Sequence, residues 1–104
     1  MFSIKGEYML SFSELEVDLR QLAEYYVGEL DEWELRREGR DYYMLVVPQD
    51  PYILEDAFAY KAIGRMLDFI WGTYNQEFCA VTFVCALTAE NTDLPYFCLK
   101  LKGY

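Results

Sequence analysis

Two different spacings of apolar residues along the chain predict strands and helices in turn. Residues 2–10 are typical of a strand, whereas apolar positions from Leu15 to Leu30 recur every three or four residues, which predicts an amphipathic helix. We expect Ser13 to cap this helix, because Glu16 follows three residues later as in a capping box, and we expect Gly28 to end it. The apolar stripe comprises Leu15, Leu19, Leu22, Ala23, Tyr26, Val27 and Leu30.

The start of this helix carries a further signal and a conflict. Phe12 precedes the expected cap, and we expect it to pack on Val17 as a hydrophobic staple. Positions 15–19 also alternate with charges as they would in a strand, but the cap and the continuation of the stripe to Val27 favour the helix. The stretch 29–35 fits either a second short helix or an edge strand, and the sequence leaves both open.

The middle of the chain predicts a turn, a strand and the start of another helix. Glu38-Gly39 marks the turn. The nearly continuous apolar run from Asp41 to Val47 predicts a central strand, which Pro48 stops. Asp50-Pro51 is a helix-start signal, an acidic cap followed by proline at the first helical position.

The second helix is expected to run from this signal to about Trp71 or Gly72. Gly64 lies inside it, and we expect this glycine to let another element pack closely. The predicted apolar face is Ala59, Ala62, Ile63, Met66, Leu67 and Ile70, and the predicted wet face is Lys61, Arg65 and Asp68.

Two more strands are predicted near the end of the chain. Residues 78–88 are apolar on both faces, which predicts a buried central strand. Residues 96–102 alternate, which predicts a final strand with one wet face. The three cysteines, Cys79, Cys85 and Cys98, fall in these stretches, so we expect reduced thiols in the core of a cytosolic protein.

The predicted order of elements is β-α-(α or β)-β-α-β-β. This order predicts the α+β class, with a small mixed or antiparallel sheet of about four to five strands and two to three helices. A chain of 104 residues with no linker-like segment is expected to form a single domain, residues 1–104.

Composition and charge exclude several function classes. The absence of histidine excludes a Ser-His-Asp triad, a Cys-His dyad and a histidine metal site. A net charge of −9 argues against binding nucleic acid directly or docking on anionic lipid, and it favours a basic protein partner. No phosphate-binding glycine motif or metal-ligand spacing is present, so we expect no cofactor, no metal and no catalytic residue. With no membrane span or targeting signal either, we expect a cytoplasmic, non-enzymatic protein.

An acidic tract with aromatic neighbours is the candidate binding surface. Between Glu14 and Glu34 there are eight acidic residues and one basic residue, Arg20, a net charge of −7. Such a run is either a solvated face or an interface, and tyrosine and tryptophan are enriched in interfaces. We therefore interpret as partner-binding the residues Tyr25, Tyr26, Glu29, Asp31, Glu32, Trp33 and Glu34.

Two segments, residues 4–15 and 24–34, resemble the barstar family of intracellular ribonuclease inhibitors. Residues 4–15 are similar to the barstar strand and first-helix entry, and residues 24–34 are similar to the acidic, aromatic helix with which barstar covers its nuclease. The resemblance implies that Asp31 and Glu34 face the cations that normally hold RNA phosphates, and that Tyr26 and Trp33 fill adjoining clefts. Immunity proteins of bacterial toxin systems, including contact-dependent inhibition, share this small, acidic, aromatic character.

We therefore expect an immunity protein that blocks the active site of a basic toxin nuclease in a one-to-one complex. A ribonuclease is the favoured target. The alternative is a structural or regulatory subunit that uses exposed aromatics and a strand edge for protein–protein association. A third candidate is a small enzyme or ligand-binding domain that uses carboxylates. It requires a buried, polar-lined pocket that holds an aspartate or glutamate with a strongly shifted pKa.

Overall fold

Two helices and four strands make up the part of the chain that the computed structural model describes, residues 11–50, 52–88 and 92–104. The elements are α1 (Phe12–Val27), β1 (Leu30–Glu38), β2 (Asp41–Pro48), α2 (Ala57–Thr73), β3 (Phe78–Leu87) and β4 (Tyr96–Gly103), with a short 3₁₀ helix, Ile53–Glu55, before α2. The α+β class is confirmed. The order begins with a helix, because the predicted first strand, residues 2–10, lies outside the described residues.

The four strands form one antiparallel sheet in the order β1-β2-β4-β3. Successive side chains of a strand point to opposite faces, so the register assigns every residue to one side. Both helices cover one face, here called the inner face, where Leu35, Met44 and Leu99 are buried. We call the other side the outer face.

A single hydrophobic cluster joins the inner face to the helices. Leu19, Met44, Met66, Ile70 and Leu99 are each fully buried in it, and they come from α1, the sheet and α2. Tyr74, just after α2, is also buried there, and its hydroxyl donates a hydrogen bond to Oδ2 of Asp18 at 3.1 Å. Burial, and then the nearby carboxylate, raise the pKa of Tyr74 above its ordinary value.

The cap of α1 lies two residues before the predicted one. The backbone N–H of Glu14 donates to Oγ of Ser11 at 3.2 Å, so Ser11 is the N-cap and Ser13 lies inside the helix. Serine occurs at both positions, and the capping-box spacing fits Ser11 and Glu14 as well as it fits Ser13 and Glu16. The predicted end is confirmed, since Gly28 has a φ of 84°, which glycine adopts without strain.

The aromatic residue at the start of α1 packs on the sheet. The ring of Phe12 stacks on the ring of Tyr42 of β2, with centroids 6.0 Å apart, while Val17 is mostly exposed. The expected staple between Phe12 and Val17 is therefore wrong. A large ring on β2 offers more apolar surface than one valine side chain on a solvated side of the helix.

The sequence did not decide whether residues 29–35 form a helix or a strand. In the structure, all of them but Glu29 lie in β1, an edge strand of the described sheet. A turn at Gly39-Arg40 connects β1 to β2, and Glu38 lies opposite Asp41. The predicted turn is confirmed, and β2 is central as predicted, between β1 and β4.

The second helix starts later than predicted. Asp56 caps α2 by accepting the N–H of Phe58 at 2.8 Å. Asp50 instead accepts the N–H of Tyr52 at 3.0 Å, so it stabilises the turn that leads into the 3₁₀ helix. The predicted core positions Ala59, Ile63, Met66 and Ile70 are buried, and the predicted wet face is exposed.

The strand predicted to be central and buried, β3, lies at an edge of the sheet that the described strands form, and it is largely exposed. Phe83 is 39% exposed and Val84 49%. Cys79 and Cys85 are exposed and Cys98 is half-buried, so the prediction of three core thiols is also wrong. An apolar run shows that both faces of a strand avoid charge, but it does not reveal which strands flank it.

Candidate functional site

Alternate residues of β1 direct the acidic side chains away from the helices. Leu35 is buried on the inner face, so Glu34 and Arg36 lie on the outer face, where Glu34 is opposite Leu45 of β2. The register shifts between Leu30 and Glu32, which leaves Asp31 as the extra residue of a bulge. The bulge places two successive acids, Asp31 and Glu32, in exposed positions.

A shallow depression of about 410 Å³ lies at the edge of β1. It is lined by four of the seven predicted site residues, Asp31, Glu32, Trp33 and Glu34, together with Arg20 of α1 and Leu45 of β2. The structure thus brings the centre of the predicted surface together. The sequence did not reveal the contributions of Arg20 and Leu45, which depend on how α1 and β2 pack beside β1.

Trp33 serves mainly as part of the core. Its side chain is half-buried and packs against the hydrophobic cluster, opposite Val46 in the register. Its indole Nε1 is buried and has no hydrogen-bond partner among the described residues. Trp33 and Glu34 therefore point to opposite sides of β1, whereas the resemblance to barstar implied one helical surface carrying both.

The other three predicted residues lie near the junction of α1 and β1. Tyr25 is 81% exposed, and its ring meets that of Tyr26 edge-on with centroids 5.0 Å apart. Tyr26 is half-buried and packs against the core. Glu29 is exposed in the connection, and its carbonyl oxygen accepts the backbone N–H of Gln49 at 2.9 Å. No described contact places Tyr25 in the depression.

The acids at the start of β1 carry little local compensation. We call Glu29, Asp31, Glu32 and Glu34 the acidic edge. Arg36 pairs with Glu34 at 3.3 Å, and Arg20 pairs with Glu24 at 3.6 Å. No lysine or arginine of the described segments lies within ion-pair distance of the remaining three acids of the edge. The edge therefore keeps an unbalanced negative charge in solvent.

The outer face adds a second depression, of about 260 Å³, that begins at the acidic edge. Its lining is Glu34, Arg36, Glu38, Tyr43, Leu45 and Cys98. Nearby, Nζ of Lys100 lies 3.6 Å from Oδ2 of Asp41 and 5.8 Å from the centre of the Tyr43 ring. The alternation of charges from Glu32 to Glu38 is the sequence signal that indicates this face of β1.

Within the described parts of the chain, no group of three or more histidine, cysteine, aspartate or glutamate side chains is arranged to hold a metal ion. None of the described helices is long and apolar enough to cross a membrane. What the acidic edge offers chemically is a set of exposed oxygen acceptors, which suits guanidinium and ammonium groups.

Comparisons of the chain with protein-family models, with curated proteins and with solved structures find no match.

Proposed function

We propose that this chain is a non-enzymatic immunity protein of the cytoplasm that binds a basic toxin nuclease one-to-one and blocks its active site. A ribonuclease is the preferred target. The observation that carries the proposal is the acidic edge, in which Glu29, Asp31 and Glu32 are exposed and lack a compensating described cation.

Clustered like charges repel one another and so destabilise the folded chain. A positively charged partner would relieve this repulsion. A nuclease active site supplies one, because it carries the arginine and lysine side chains that hold phosphates. Carboxylates on the acidic edge would occupy the positions of those phosphates, and the net charge of −9 would steer the two proteins together.

The shape of the surface also suits a protein partner. Leu45 and Trp33 line the depression beside the carboxylates, and Tyr25 is exposed near the end of α1. Large aromatic side chains and buried charge pairs are typical hot spots of interfaces. In this proposal Trp33 supports the acidic edge from beneath, because it packs against the core.

The test is a charge reversal that spares the core. We expect Asp31→Lys with Glu32→Lys to weaken binding to the target by at least about 2 kcal/mol, roughly thirty-fold in Kd. Calorimetry with purified basic ribonuclease domains, starting with any encoded beside the gene for this chain, measures the loss. Wild-type binding is expected to weaken as salt is raised, because the charges are exposed.

The matched control is Glu55→Lys with Asp68→Lys, which changes the net charge equally at exposed positions remote in sequence from the acidic edge. The control is expected to keep tight binding apart from slower association. Equal affinities of the two variants would refute this site. Failure of the wild-type chain to bind any basic nuclease, in vitro or in protection of cells, would refute the function.

A second function, that of a structural or regulatory subunit, is favoured by a separate observation on the other side of the molecule. One flank of α2 carries four uncharged residues at helical spacing, Tyr60, Gly64, Leu67 and Trp71. The ring of Tyr60 meets the ring of Phe83 on β3, with centroids 6.2 Å apart. We call this flank together with β3 the α2–β3 surface.

The α2–β3 surface suits a second copy of the chain. The flank and β3 carry no charged residue, although 26% of the chain is charged, which favours a partner surface without charges. An added Cβ at Gly64 would meet no atom of the described residues within 4 Å, so none of them supplies the close-packing element that we expected there. A two-fold pairing would bring the same uncharged surface to both sides.

The exposed area indicates a weak dimer. Tyr60, Trp71 and Phe83 are 40%, 50% and 39% exposed. If a whole aromatic side chain has an area of about 200 Å², these three side chains together expose roughly 260 Å² to solvent. A standard interface buries about 800 Å² per partner, so we expect self-association only at high protein concentration.

Sedimentation equilibrium over a concentration series tests this function. Trp71→Ser is expected to abolish self-association, whereas Phe58→Ser, at an exposed position on the opposite flank of α2, is expected to leave it intact. A wild-type chain that stays monomeric at millimolar concentration would rule out the second copy as the occupant.

A further inference from the structure

Two cysteines that the sequence separates widely lie directly opposite each other in the sheet. The register of β3 and β4 pairs Cys85 with Cys98, and the register of β2 and β4 pairs Cys98 with Leu45. Leu45 lies on the outer face, so both thiols belong to that face as well. The register of β3 shifts between Phe83 and Cys85, so Val84 is the extra residue of a bulge and the pairing resumes at Cys85. Regularly opposed residues of antiparallel strands have Cα atoms about 4.5–5.5 Å apart. That separation falls within the range of about 4.4–6.8 Å that a disulfide requires.

We propose that Cys85 and Cys98 form an oxidisable dithiol, which a hydroperoxide converts into a disulfide linking β3 to β4. The proposal is independent of the acidic edge and of any partner. It rests on the register, on the exposure of Cys85 and on the shared outer face, where no described helix covers either thiol.

Exposure assigns the two cysteines different parts in the reaction. Cys85 is exposed and meets the oxidant, whereas Cys98 is half-buried. Burial, and then the neighbouring Cys85, raise the pKa of the Cys98 thiol, so the Cys98 thiolate forms less readily. Cys85 therefore attacks first and Cys98 resolves.

The chemistry balances with hydrogen peroxide as the oxidant. The Cys85 thiolate attacks one peroxide oxygen, the O–O bond breaks, and the leaving hydroxide takes a proton to become water, so that Cys85 becomes a sulfenic acid. The Cys98 sulfur then attacks the Cys85 sulfur. The S–S bond forms, the S–O bond breaks, and the proton of Cys98 leaves with the hydroxyl as a second water. Overall, two thiols lose two electrons and two protons, and one peroxide becomes two waters.

The disulfide would tie the exposed edge strand β3 to its only neighbour among the described strands. A crosslink stabilises mainly by restricting the unfolded chain. Oxidised protein is therefore expected to unfold at a higher urea concentration than reduced protein. Because the resolving thiol has a raised pKa, disulfide formation is expected to accelerate as the pH rises from neutral towards alkaline values.

The experiment treats the folded full-length chain with hydrogen peroxide and measures intact mass and free thiols. We expect a loss of about 2 mass units, with one alkylatable thiol remaining of the three cysteines. Cleavage after glutamate separates residues 78–90, which contain Cys79 and Cys85, from residues 91–104, which contain Cys98. The two peptides are expected to remain linked until a reductant is added.

Cys79 provides a matched control, since it is also exposed on β3 and its thiol lies near the carbonyl oxygen of Gly103. Cys79→Ser is expected to form the linked peptides as readily as wild type, and Cys85→Ser to form none. Cys85→Ser is at an exposed position, so it is expected to fold. Loss of the linkage in Cys79→Ser, or peroxide treatment that yields only sulfinic acids or dimers between chains, would overturn the proposal.

Discussion

Replacing Gly64 with alanine is expected to stabilise the monomer and weaken the proposed dimer. Gly64 lies in the interior of α2, between Ile63, which is buried, and Arg65, which is exposed. An alanine at this position would place its Cβ in open space as far as the described residues go, because apart from the local helix backbone and the chain neighbours none of their atoms lies within 4 Å.

The size of the effect follows from helix propensity. Glycine in a helix interior is less favourable than alanine by about 0.8–1.0 kcal/mol, chiefly because the unfolded glycine chain has more conformational freedom to lose. With no repulsion to subtract, Gly64→Ala should raise the free energy of unfolding by about 1 kcal/mol. For a domain near this size, that corresponds to an increase in Tm of about 4 °C.

Urea unfolding followed by circular dichroism at low protein concentration measures this change in the monomer. The midpoint is expected to rise by roughly 0.3–1 M at an unchanged slope. Gly72→Ala is the matched control, since Gly72 also has open space but lies in the last turn of α2, where a smaller gain is expected.

Sedimentation at high concentration then separates the two roles of Gly64. If the α2–β3 surface binds a second copy, the added methyl groups hold the two helices apart, so Gly64→Ala weakens self-association while it stabilises the monomer. A monomer destabilised by Gly64→Ala at low concentration would refute the reasoning, because it would mean that the space above Gly64 is occupied.

Three further predictions concern the fold. Ser11→Ala is expected to cost about 1 kcal/mol of stability through the lost cap, and Ser13→Ala is expected to cost nothing, as urea unfolding will show. Gly103→Ala is expected to cost about 1–3 kcal/mol, because the new Cβ would overlap the carbonyl oxygen of Arg40, and a lower Tm in thermal unfolding would measure this cost. Tyr74 keeps its proton in the folded chain at a pH where the unfolded chain ionises, since its folded pKa is raised. The contribution of the protonated Tyr74 hydroxyl to the free energy of unfolding is complete below about pH 10. Above that pH it is lost at about 1.4 kcal/mol per pH unit. The stability of Tyr74→Phe should therefore fall less steeply in alkaline urea titrations, and equal slopes would contradict the assignment.

The elements that the sequence predicted well are those whose evidence lies within one segment. The spacing of Ala59, Ile63, Met66 and Ile70 reports the buried face of α2 directly, because a helix brings residues three and four apart to the same side. The alternation of Phe97, Leu99 and Leu101 likewise reports the buried face of β4. The charges of the acidic edge are also a property of the sequence alone.

Two features that the sequence misplaced or left open depended on a choice between local alternatives. Ser11 and Ser13 are both good caps, and Ser11 is the one used where Phe12 stacks on Tyr42. The stretch 29–35 had signals for a helix and for a strand. As a strand it pairs with β2, and its alternation turns Trp33 and Glu34 to opposite faces, although both still line the depression at the edge of β1.

The sequence by itself determined the class of the fold, the two amphipathic helices, the turn at Gly39 and an acidic surface near the start of β1. Only the tertiary structure decided that β3 lies at an edge of the described sheet, that Trp33 packs against the core and that Cys85 lies opposite Cys98. The physical reason is that side-chain periodicity follows from the backbone geometry of a single segment. Strand order and register, in contrast, depend on hydrogen bonds between segments far apart in the chain. An apolar run such as residues 78–88 does not specify which strand it pairs with.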